Sequence, residues 1–135
     1  MILTSLSKYR DFGLLLLRIG IGGLMIMYGW PKIVGGADMW KHIGEGMQHF
    51  GIHFLPTFWG FMCAITETLG GALIVLGFLF RPATILLTIN MIVASVVLYH
   101  MNNGQLLKSG QPIELAILFA SLIFIGAGKF SVDRS

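Results

Sequence analysis

Two ionisable residues, Arg18 and Glu67, sit well inside long apolar stretches of this chain, and a third, Glu114, sits at the edge of another. If such a stretch crosses a bilayer, a charge within it costs on the order of 3 kcal/mol even on a lenient insertion scale. Arg18 and Glu67 must therefore face the interior of a helix bundle or water. A guanidinium and a carboxylate in that setting can hold each other and fix helix register, or they can hold a substrate and pass protons. Arg18 has two candidate partners, Glu67 and Asn90. At about 1.5 Å of rise per residue, Asn90 comes out closer to its depth. Cys63 falls one turn from Glu67 on the same helix face, where a small packing residue is its ordinary role.

A second polar group is expected at one mouth of the bundle. Lys32 follows the first apolar run, His100 ends the third and Glu114 opens the fourth. An imidazole beside a carboxylate can relay protons near neutral pH, although each could equally cap its own helix at the interface. Tyr28 and Tyr99 come at the same level. Glu67, Arg18, His100 and Glu114 are thus the candidate catalytic residues, and Lys32, Tyr28 and Asn90 the candidates for holding a bound molecule. His42, Glu45 and His49 share a helical face with His53 nearby, but their spacing matches no tight metal motif, so no metal is expected. The single Cys and scattered His make no haem, flavin or iron–sulfur site apparent.

The elements that position these residues follow from hydropathy. Hydrophobic residues make up 56% of the 135 positions and charged residues 11%, far from soluble usage. Four apolar runs, at about 13–30, 58–80, 83–100 and 113–128, approach the roughly 20 residues that cross a hydrocarbon core. They lack the alternation of barrel strands, which leaves helices. The reading is one domain, 1–135, an all-α integral membrane four-helix bundle. No small-residue cleavage site closes the first run, so it is read as retained.

Arg81 and Pro82 alone separate the second and third runs, which predicts a tight antiparallel hairpin with Pro82 opening the third helix. Pro112 suits a first helical position, with Glu114 in the first turn. In the long first outer loop, Asp38 could cap a short helix whose apolar face is Met39, Trp40, Ile43, Met47 and Phe50, with Gly51 as its stop. Such a helix would lie flat in the membrane interface, beside a belt of Trp30, Trp40 and Trp59. Glycines 20, 22, 23, 70 and 71 let helices approach closely.

Basic residues set the orientation. Lys8, Arg10, Arg81, Lys129 and Arg134 lie on the side of the termini, against Lys32, Lys41 and Lys108 in two longer loops, which places both termini in the cytoplasm. The formal net charge is +3, but these residues form no basic stripe with interleaved aromatics, so nucleic acid is not an expected partner.

Taken in order, several stretches resemble the DoxX family of small bacterial membrane proteins. They are Leu-Leu-Leu-Leu-Arg-Ile-Gly at 14–20, Tyr-Gly-Trp-Pro-Lys at 28–32, Glu67 with Gly70 and Gly71, and Gly77 to Arg81 with Pro82. His100, Glu114 and the closing Gly-Lys-Phe-Ser-Val-Asp-Arg at 128–134 complete the match. The resemblance covers nearly the whole chain. It implies a four-helix protein of the bacterial cytoplasmic (inner) membrane with Arg18, Lys32, Glu67, His100 and Glu114 as its polar positions. It also implies association with thiosulfate:quinone oxidoreductase or with membrane systems that handle thiol and oxidative stress. Family members often carry His where this chain has Tyr28.

Three functions compete. One is a membrane redox subunit that binds a quinone among the helices, takes electrons from an oxidoreductase partner and uses Glu67 or Glu114 for protons. A second is a non-catalytic scaffold recruiting soluble oxidoreductases. The third is a small-solute transporter, which with four helices would need a homo- or hetero-oligomer.

Overall fold

The structure is a computed structural model describing residues 2–105, 107 and 110–134, so Lys108 of the orientation count lies outside the described residues. After a 3-10 turn at Thr4–Tyr9 come five α-helices: α1 (Arg10–Val34), α2 (Gly36–Gly44), α3 (Pro56–Leu76), α4 (Phe80–Met101) and α5 (Gly110–Ile125). No strand occurs among the described residues. The first, third and fourth of these helices are long and apolar enough to cross a membrane, and α5 is a shorter apolar helix of 16 residues. The fold is an all-α membrane bundle.

Register is set where glycines meet. Gly22 of α1 faces Gly71 of α3 so closely that a Cβ on either would come within 2.6 Å of the other's carbonyl oxygen. Gly29 fits against Glu67 and Thr68 in the same way. Gly20 and Gly23 face open space, so of the first-helix glycines read as packing residues only Gly22 packs. This antiparallel contact carries a buried stripe on α1, Arg18, Gly22, Met25 and Gly29, along a matching stripe on α3 that includes Glu67, Gly71 and Ile74.

The loop helix is present, and it runs differently from the sequence expectation. Gly60 of α3 abuts the Trp40 carbonyl and Gly44 abuts that of Pro56, so α2 follows α3 antiparallel and prolongs the track of α1 instead of lying flat across the bundle end. Gly36, with φ of 84°, makes the bend between α1 and α2, and Asp38 caps nothing. A 3-10 turn, Glu45–Phe50, follows, and Gly51 ends it in the left-handed conformation expected of a stop. Its Gly46 rests on Val97 of α4.

The hairpin between α3 and α4 is also displaced. Gly77 ends α3 with φ of 68°, the Phe78 amide donating to the Leu73 carbonyl, and α4 begins at Phe80. Arg81 and Pro82 thus lie in the first turn of α4, where a missing amide proton is harmless. Pro31 likewise lies inside α1, and Pro112 is the third residue of α5. The closing tail folds under this end of the bundle. Asp133 accepts from the Leu79 and Phe80 amides at 3.2 and 2.8 Å and so caps α4. Asp11 accepts from the Lys129 amide at 3.1 Å.

Candidate functional site

The residue that holds Glu67 is Lys32. Its Nζ donates to both carboxylate oxygens, at 2.9 and 2.8 Å. Gly29 lets α1 come close to Glu67, and Lys32, one turn further along, reaches sideways to the middle of α3. The Trp40 indole donates to the Lys32 carbonyl at 2.9 Å, tying the end of α1 to α2. Asn90 of α4 donates to Glu67 Oε1 at 3.1 Å, and the Cys63 thiol points at the same oxygen from 3.7 Å. Three helices therefore converge on one carboxylate.

The pair is unequally buried. The Glu67 side chain is 4% exposed and that of Lys32 31%. The difference is a cavity of about 610 Å³ lying between α2, the 3-10 turn, α3 and α4. Lys32, Glu67, Asn90 and Cys63 form its polar floor. Its α4 side is largely aliphatic, including Val93 and Val97, whereas the part formed by α2 and the 3-10 turn carries His42, Glu45, Gln48 and His49. Leu86 and Ile89, both more than half exposed, sit on its α4 side and open it towards the lipid. Of the three ammonium protons of Lys32 two are engaged by Glu67, so one remains to meet a molecule in the cavity.

Arg18 is elsewhere. Its guanidinium, fully buried, donates to the Val75 carbonyl at 3.3 Å and to the Phe130 carbonyl. Val75 is two turns, about 12 Å, beyond Glu67 on α3. Arg18 thus neutralises the unpaired carbonyls at the C-terminus of α3 and pins the tail, and neither Glu67 nor Asn90 is its partner. The remaining candidates do not assemble with Glu67. His100 stacks on His49, ring centroids 4.7 Å apart and planes 3° from parallel, with the Tyr99 ring edge-on to it. Glu114 lies exposed on a separate hollow between α1 and α5, where the Gln111 amide donates to the Tyr28 hydroxyl at 2.7 Å. Among the described residues no three His, Cys, Asp or Glu side chains converge as a metal centre requires.

The fold and site define an integral membrane protein in which a buried carboxylate, Glu67, is paired with a half-buried Lys32 beside a cavity between helices. The DoxX family model matches residues 13–100, and the chain belongs to that family. It is 30% identical over 132 residues to the inner membrane protein YqjF of Escherichia coli K12, covering 96% of this chain and 95% of YqjF. It is 26% identical over 140 residues to the E. coli inner membrane protein YphA, covering 94% and 96%. An uncharacterized Haemophilus influenzae protein is 26% identical over 137 residues, covering 98% and 96%. No solved structure matches. With its own membrane-length helices and relatives that are inner membrane proteins, the protein is a multi-pass protein of the bacterial inner membrane.

Proposed function

We propose that this DoxX-family protein binds a quinone, or a similar small apolar carbonyl compound, in the cavity above Lys32, Glu67 and Asn90, as the membrane subunit of a redox system. The observation that carries the reading is a cavity of ligand size, aliphatic along α4 and polar towards the 3-10 turn, with the Lys32–Glu67 pair among its lining residues. The free Lys32 proton and the second Asn90 amide proton would donate to a quinone oxygen. Glu67, with spare acceptor capacity on Oε2, would receive or supply protons as that oxygen is reduced or reoxidised. Both electrons would come from an oxidoreductase partner. The opening at Leu86 and Ile89 would admit the ligand from the bilayer.

Purification in mild detergent with mass spectrometry of co-purifying proteins and extracted small molecules tests this. Near-stoichiometric quinone is expected, reduced roughly tenfold or more in Asn90→Leu, since a hydrogen bond in a charged site contributes about 1.5–3 kcal/mol. A stoichiometric soluble oxidoreductase without quinone would support the scaffold instead.

The orientation belongs to the same proposal. With Lys32 inside α1 and paired with Glu67, five basic residues on the side of the termini against Lys41 and Lys108 on the other favour cytoplasmic termini. In a Cys63→Ala background, Asp38→Cys should react with an impermeant maleimide in intact cells and Lys8→Cys should not. The reverse pattern overturns the orientation.

A further inference from the structure

We infer that the cleft between α1 and α5 holds one anionic phospholipid, its phosphate among Arg10, Lys129 and Arg134 and an acyl chain along α1. The helices stand as a row in which α1 packs on α3, α3 on α4 and α4 on α5. Among the described residues the backbones of α1 and α5 do not approach each other, and hollows lie between them. The hollow at the termini's end, between the start of α1, the closing tail and Ile125 of α5, measures about 760 Å³, and the one between α1 and α5 nearer Tyr28 about 320 Å³. Leu14 and Leu17 line the first, Ile21, Leu24 and Tyr28 the second, so one side of the cleft is a single stripe at helical spacing. From Leu14 to Leu24 the stripe runs about 15 Å, which is one leaflet of a hydrocarbon core about 30 Å thick.

Charge fixes the occupant. Three cations, Arg10, Lys129 and Arg134, line the wider hollow against one carboxylate, Asp11, which is already engaged by the Lys129 amide. Among the described residues none of the three cations is in an ion pair. The tail brings two of them to the start of α1 because Arg18 and Asp133 fold it there. Cations at headgroup level over an apolar groove one leaflet long complement a lipid with a net negative headgroup. A zwitterionic lipid would add a cation to the cluster, and a free anion would leave the groove empty.

Native mass spectrometry of the full chain released from nanodiscs tests this. One phosphatidylglycerol should be retained per chain, phosphatidylcholine markedly less, and millimolar inorganic phosphate should displace neither. Each of Arg10→Gln, Lys129→Gln and Arg134→Gln should weaken retention roughly fivefold. Leu17→Trp, which fills the groove and leaves the cations, should abolish it. All four side chains are at least partly exposed, and unchanged circular dichroism would show the fold intact. Equal retention of both lipids, full retention by the triple Gln variant, or displacement by phosphate would overturn the inference.

Discussion

Replacing Lys32 with Met is expected to destabilise the protein by about 3–5 kcal/mol, and replacing Glu67 with Gln by distinctly less, although the two residues form one pair. The asymmetry follows from where each partner can go. Lys32, about a third exposed, can turn its ammonium into the cavity when Glu67 loses its charge, and the amide oxygen introduced by Glu67→Gln would still accept from it and from Asn90. Glu67 has no such exit, being 4% exposed on its side chain. Without Lys32 its carboxylate keeps only the Asn90 amide and the distant Cys63 thiol. The double variant Lys32→Met/Glu67→Gln removes both charges and should return to within about 1 kcal/mol of Glu67→Gln alone. Arg18→Met should rescue neither single variant, because Arg18 serves the end of α3. Denaturant unfolding of the set in lipid-containing detergent measures this. Equal losses for the two single variants would show that the cavity solvates Glu67 as well as Lys32.

The class, the helix count and the need for Glu67 to have an interior partner were all legible in the sequence, because bilayer energetics act on composition and on single charges. The identity of the partner was not. Lys32 reads as an outer-mouth residue when each helix is taken to start and end at the same level, and Arg18 then looks nearer to Glu67. In the bundle α1 sits about one turn lower against α3, as the meeting of Gly22 with Gly71 and of Gly29 with Glu67 dictates, and the long Lys32 side chain spans the remaining distance to Glu67. The signal was present: Arg18, Gly22, Met25, Gly29 and Lys32 recur at three- and four-residue steps and so share one face. Only the opposing stripe on α3 fixes how far that face slides, and a slide is a property of two surfaces.

The displaced hairpin has a different cause. Hydropathy continues through Gly77, Phe78 and Leu79, since a turn at the membrane surface need not be polar, whereas Arg81 and Pro82 look like a break. What ends α3 is the left-handed conformation at Gly77, and what starts α4 is Asp133, more than fifty residues away in sequence. The tail's role in holding Arg18 and capping α4 could not be read from local pattern. The matching of the closing 128–134 stretch to the family was the one sequence sign that those residues are structural.

Gly60→Ala is expected to be among the most damaging single-methyl additions available, at the upper end of or beyond the roughly 1–3 kcal/mol usual for overpacking. Its Cβ would overlap the Trp40 carbonyl, and the obstacle is backbone of α2, which can yield only by moving the whole helix. That movement would break the Trp40 indole bond to the Lys32 carbonyl and shift the wall of the cavity formed by α2. If the cavity binds quinone as proposed, that binding should therefore be lost together with stability. Two other glycines calibrate the result. At Gly70 the nearest obstacle is the buried Leu87 side chain at 3.1 Å, which need give only a few tenths of an ångström, so Ala there should cost much less than at Gly60. At Gly20 nothing lies within 4 Å, and Ala should stabilise by about 0.5–1 kcal/mol through backbone entropy alone. Melting temperatures of the three variants should thus fall in the order Gly20→Ala, Gly70→Ala, Gly60→Ala from highest to lowest. A Gly60→Ala protein that melts with the parent and retains quinone would mean that α2 does not lie along α3, and the cavity as a ligand site would fall with it.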